Sequence, residues 1–181
     1  MKYSGLLLLM ASLLSACQNN PIKLEDSAYA TLPAGSTLVQ QQDLTLPSNT
    51  FSLQFQNGEQ LSSKDIDQYY ANCELESRDR ASTARTIKAG VYKITRSTRY
   101  EESTSLPVRV ASNASAGFML ANASYMTKFL LSMDLQSELN PNIMRFTCSA
   151  WGEQITEDYL TLKVIRQTLN PLFSIKLPGE Q

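Results

Sequence analysis

Residues 51–61 read Phe-Ser-Leu-Gln-Phe-Gln-Asn-Gly-Glu-Gln-Leu. Phe51, Leu53 and Phe55 alternate with Ser52, Gln54 and Gln56. A period of two places one face of a strand in a core and the other in water. Asn57-Gly58 follows with no spacer. Both residues tolerate positive φ, which a type I′ turn demands at its two central positions. The chain is therefore expected to reverse here and return over Glu59 to Ser62 as an antiparallel hairpin.

The same alternation recurs on both sides. Ala71, Cys73 and Leu75 alternate with Asn72, Glu74 and Glu76, and Met144, Phe146, Cys148 and Ala150 alternate with Arg145, Thr147 and Ser149. Upstream, one strand is expected from Thr37 to Leu46, with Leu38, Leu44 and Leu46 in phase and Pro47 as its stop. Lys64 to Tyr70 reads as a helical turn and Arg78 to Arg85 as a polar loop. Ala89-Gly90 marks a turn before a β-rich run from Val91 to Tyr100. Leu106 to Ala111 contains Pro107, which confines it to a sheet edge. Phe118 to Leu135 fits two periods. A helical stripe of Met126, Phe129, Leu130 and Met133 would leave Leu131 and Leu135 in water, so a strand is expected. Asn140-Pro141-Asn142 is a turn.

Thr156 to Leu169 breaks the pattern. Thr156 can cap a helix, Glu157 and Asp158 suit its positive end, and Tyr159, Leu162, Ile165 and Leu169 form a stripe. Asn170-Pro171 ends the helix, and Leu172 to Leu177 is a last strand. The expected fold class is mainly β: an antiparallel β-sandwich or curved sheet with one C-terminal helix packed on it.

Composition excludes much chemistry. The 181 residues include no histidine, which removes Ser-His-Asp and Cys-His nucleophiles and His-ligated metals. No lysine has a serine three residues before it, and there is no Gly-x-Ser-x-Gly, phosphate-cradling loop or dinucleotide fingerprint. No cofactor is expected. Sixteen basic residues face seventeen acidic ones, so no charge excess points to nucleic acid. Carboxylate chemistry remains open, with Asp65, Asp67, Glu74, Glu76, Glu101 and Glu102 as candidates. A glycosidase needs two such groups about 5–10 Å apart.

Lys2, the apolar run Leu6 to Leu14 and then Ser15-Ala16-Cys17 open the chain. The run is too short to span a bilayer, which takes about 20 residues. Leu14-Ser15-Ala16-Cys17 resembles the lipobox of bacterial lipoproteins. The resemblance implies removal of a signal peptide, residues 1–16, and acylation of Cys17. Two or more acyl chains, at ~0.8 kcal/mol per buried CH₂, hold a protein stably on a membrane. Gln18, where aspartate would imply inner-membrane retention, implies the outer membrane, most simply its periplasmic face. Residues 17–35, polar and proline-punctuated, read as a lipidated cysteine and flexible tether, leaving 36–181 as one β-rich domain. Asp67-Gln-Tyr-Tyr-Ala-Asn-Cys73-Glu-Leu-Glu76 and Leu32-Pro-Ala-Gly-Ser36 also resemble segments of small proteobacterial lipoproteins, a resemblance that implies no activity. Export leaves Cys73 and Cys148 in an oxidising compartment, where a disulfide is expected. The alternatives are a metal site completed by two carboxylates or a reactive thiol.

Charge is unevenly spread. Residues 18–77 hold two lysines against eight acids, whereas residues 78–99 hold seven cations against Asp79 alone. Unbroken alternation would put Lys93, Thr95, Ser97 and Arg99 on one face of a strand, and Arg96 with Tyr92 and Ile94 on the other. Arg85, Arg96 and Arg99 are the candidates for an anionic ligand such as envelope lipid or glycan, arginine being suited to bidentate contacts. The alternative is pairing with the acidic first third. The reading that joins these observations is an outer-membrane lipoprotein with a non-enzymatic binding, assembly or structural role in the envelope. The alternatives are a carboxylate-based glycan hydrolase and an accessory subunit of an envelope complex.

Overall fold

The computed structural model describes residues 24–27, 29–80, 82–105, 125–153 and 160–180. The signal segment, Cys17, Leu106 to Ala111 and Thr156 lie outside them. Among the described residues ten strands and one α-helix follow in order: β1 (Thr37–Gln40), β2 (Leu44–Leu46), β3 (Ser52–Gln56), β4 (Glu59–Leu61), β5 (Asn72–Ser77), β6 (Arg85–Ile87), β7 (Gly90–Ser105), β8 (Tyr125–Gln136), β9 (Ile143–Glu153), α1 (Leu162–Leu169) and β10 (Phe173–Lys176). Eight strands form one antiparallel sheet in the order β10-β1-β7-β8-β9-β5-β3-β4, and β2 pairs with β6 in a second ladder.

The large sheet curls on itself. Phe55, one strand from one edge, meets Phe173 on the opposite edge strand edge-to-face at 5.0 Å, and Phe146 lies 5.2 Å from Phe173. All three rings are buried, with Leu38, Leu75, Leu131 and Met133. Helix α1 packs against β3, β5 and β10 and buries Leu162, Ile165 and Leu169. The expected curved sheet with one C-terminal helix is the architecture found.

The hairpin forms at the expected turn over Ser52 to Leu61, but Phe51 lies outside β3 and is exposed, while Gln56 is buried. Asn57 and Gly58 have φ of 53° and 77°, and Gln54, Phe55 and Gln56 pair with Leu61, Gln60 and Glu59. Phe118 to Leu135 resolves as strand from Tyr125 onward. Cys73 and Cys148 face each other directly across the β5–β9 ladder, with Cα atoms 4.0 Å apart and the sulfurs joined. Both are 1% exposed or less.

Several expectations need correction. Thr37 to Leu46 is two strands in two sheets, because the buried Gln40 amide turns to donate to the Gln42 and Ile87 carbonyls and ends β1 there. Lys64 to Tyr70 forms isolated turns rather than helix, the Tyr70 N–H donating to the Asp67 carbonyl, while Gln56 captures the Asp67 backbone. Arg85 belongs to β6, not to the preceding loop. The helix starts at Leu162, capped by Thr161, whose Oγ1 accepts the Val164 N–H at 3.2 Å. The expected tether is docked at Leu24 to Asp26 and again at Leu32. Residues 24–26 form a 3₁₀ turn packed on α1, and Leu32 is a core residue. The domain therefore begins before residue 36.

Candidate anion-binding groove

One extra residue in β7 decides where the arginines point. Ile94 pairs with Leu135 and Arg96 with Asp134, leaving Thr95 unpaired in a β-bulge. A bulge shifts the side-chain phase of everything beyond it. Arg96 therefore joins the outward face with Lys93. Ser97 and Arg99 turn inward, opposite the buried Met133 and Leu131. The face assignment from unbroken alternation is thus reversed beyond Ile94. A bulge has no periodic signature, and only the pairing partner reveals it.

The three candidate arginines do not converge. Arg85 Nη1 lies 3.0 Å from Asp79 Oδ2, and its Nη2 donates to Ser77 Oγ. Arg96, its side chain 73% exposed, pairs with Asp134 at 2.7 Å. Neither pairs with the acidic first third; Lys88 does, with Asp43 at 2.8 Å.

Arg99 differs from both. It makes no ion pair within 4 Å among the described residues, and its Nε donates to the Ala30 carbonyl at 2.5 Å. Burial alone pulls the guanidinium below the ordinary arginine value, though arginine stays charged at any physiological pH. Its neighbours form a groove of about 600 Å³. One wall is the segment before β1, held to β7 by the Leu32 N–H donating to Ser97 Oγ at 2.8 Å. That wall carries Tyr29 and Thr31, and the groove is completed by Tyr100, Glu101, Phe129 and Leu130. A cation in a mostly apolar groove, paired with no acid within 4 Å among the described residues, fits an anionic head joined to an apolar body. Sequence reasoning named Arg99 but missed Tyr29 and Phe129, which reach the site only through the docked N-terminal segment and the β7–β8 hairpin.

Cys17 lies outside the described residues. Comparison with protein-family models, with curated proteins and with solved structures finds no match.

Proposed function

We propose that the chain is a lipoprotein anchored in the outer membrane through acylated Cys17, with a domain that works in the envelope by binding rather than by catalysis. The carrying observation is the Leu14-Ser15-Ala16-Cys17 run directly behind the apolar stretch Leu6 to Leu14. A cross-strand disulfide suits an exported domain. The Arg99 groove supports the binding role. A carboxylate or phosphate head would pair with the guanidinium while an acyl body lies along Tyr29, Tyr100 and Phe129. A domain tethered to a bilayer meets such amphiphiles at close range.

The anchor is tested by labelling cells with radioactive palmitate. The wild type is expected to carry label and to sediment with outer membranes, and Cys17→Ala to lose both; equal label in the two overturns the anchor. The groove is tested by titrating the full chain with laurate. Arg99→Ala is expected to weaken binding about tenfold, which is ~1.4 kcal/mol, while Arg96→Ala leaves it unchanged. Equal behaviour of the two variants overturns the groove assignment.

A further inference from the structure

On the outer face of the sheet lies a second groove of about 590 Å³, and its character is opposite to the first. Its floor is a polar cross-strand row: Gln54 on β3 opposes Glu74 on β5, which opposes Thr147 on β9. In the next row Asn72 opposes Ser149, and Ser149 Oγ donates to Asn72 Oδ1 at 3.3 Å. Lys128 of β8 closes one side.

The other wall is the connection between β4 and β5, residues 62–71, folded back over the sheet. Gln56 holds it there. This side chain lies on the outward phase of β3 yet is only 3% exposed. Its Nε2 donates to the carbonyls of Asp67 (2.8 Å) and Ala71 (3.3 Å), and its Oε1 accepts the Asp67 N–H (3.0 Å). Asp67 Oδ1 in turn accepts the Tyr69 N–H at 3.0 Å, setting Gln68 and Tyr69 at the groove. A buried amide with its hydrogen bonds satisfied rigidifies what it holds. The wall therefore stands in place without a ligand, and binding need not order it.

The groups left over define the ligand. Among the described residues, the side chains of Gln54, Gln68, Glu74 and Lys128 make no hydrogen bond or ion pair with protein groups. They comprise two primary amides, a carboxylate and an ammonium, with the Tyr69 ring 57% exposed beside them. Amides and carboxylates each offer paired sites that match adjacent hydroxyls, which donate and accept at once. An exposed tyrosine supplies a flat apolar face with a polar tip. Asp67 and Glu74 against Lys128 leave the groove net negative, which repels a polyanion. No group of three metal-ligating side chains occurs among the described residues.

We infer that this groove binds a neutral or amino-sugar oligosaccharide without cleaving it, Glu74 and the two glutamines taking hydroxyls and Tyr69 stacking on a ring. Asp67 acts as a positioning residue, since one carboxylate oxygen is occupied by its own loop. The inference does not depend on the anchor or on the Arg99 groove.

The full-length protein, held in a detergent without a sugar head group, is titrated calorimetrically with the tetramers of N-acetylglucosamine and of glucosamine. Tetragalacturonate is the anionic control. Saturable binding of at least one of the first two is expected, with tetragalacturonate at least tenfold weaker. Glu74→Gln and Gln54→Ala are each expected to weaken binding about tenfold with unchanged circular dichroism and melting temperature. Arg99→Ala is expected to leave it unaltered. Absence of saturation with both tetramers, wild-type affinity in both groove variants, or tight binding of tetragalacturonate overturns the site. Recovery of shortened oligosaccharide overturns the binding-only assignment and makes Glu74 a catalytic candidate.

Discussion

At the scale of single residues, buried polar side chains decide local form. Tyr92 is fully buried, its hydroxyl donating to Gln40 Oε1 at 2.8 Å and accepting from Asn140 Nδ2 at 2.9 Å. Asn140 also bridges the Lys88 backbone, accepting its N–H and donating to its carbonyl. Every arm of this network is satisfied, so losing one member strands the others. Tyr92→Phe is expected to cost about 1–3 kcal/mol in urea unfolding at neutral pH, because Gln40 Oε1 loses its donor in a dry site. Burial pushes the Tyr92 phenol well above its ordinary value near 10, against the pull of the Asn140 hydrogen bond. The native state thus keeps a proton that the unfolded chain releases. Its contribution to stability is complete below about pH 10 and declines as pH rises above that. The urea midpoint of the wild type is expected to fall more steeply above about pH 10 than that of Tyr92→Phe; parallel profiles would remove the buried phenol as the cause.

At the scale of elements, the hairpin turn serves more than the hairpin. The Gly58 N–H donates to the Thr168 carbonyl at 2.8 Å, so the turn docks on the last turn of α1. A Cβ at Gly58 would collide with the Asn170 carbonyl oxygen and would have to adopt positive φ. Gly58→Ala is expected to cost about 2–5 kcal/mol, whereas Asn57→Gly, free of that contact, costs under ~1 kcal/mol. Similar melting temperatures for the two variants would show that the turn is not wedged. The β5–β9 pair carries the second element-scale prediction. Its disulfide joins residues 75 apart in sequence. On the chain-entropy model such a closure stabilises by about 4–5 kcal/mol. Denaturant unfolding of the Cys73→Ala/Cys148→Ala double variant is expected to shift by up to that amount. Alkylation of the wild type without reduction should modify neither cysteine; two labelled thiols would refute the bond in the exported protein.

At the scale of the molecule, one guanidinium gathers both ends of the described chain. Arg166 on α1 pairs with Glu25 of the N-terminal 3₁₀ turn and with Glu180 at 2.7 Å, and donates to the Ile175 carbonyl at 2.8 Å. The Glu180 carboxyl is held below its usual range, first by the Leu177 N–H and also by Arg166. Leu24 to Asp26 is therefore held at a defined place beside α1. Arg166→Ala is expected to speed amide exchange several-fold at residues 24–27 and 177–180 while leaving β5, β8 and β9 protected. Unchanged exchange at both ends would mean that the clasp contributes nothing to docking.

The alternation of Ser52 to Phe55, Asn72 to Glu76 and Arg145 to Cys148, the Asn57-Gly58 reversal and the stripe of α1 could all be read from residues alone. They are local properties, set by φ/ψ preference and by side-chain periods of two and 3.6. The proposed anchor rests on the same kind of signal, a short linear run ending at Cys17. Neither groove was legible. The first depends on Thr95 bulging against β8, which turns Arg99 inward, and on Ala30 returning to cap it. The second depends on Gln56 capturing a loop that reads as a helical turn. The curl that brings Phe55 to Phe173 joins strands from opposite edges of the sheet. Each is a contact between residues distant along the chain, and such contacts are chosen by the packing of the whole core rather than by any neighbour in sequence.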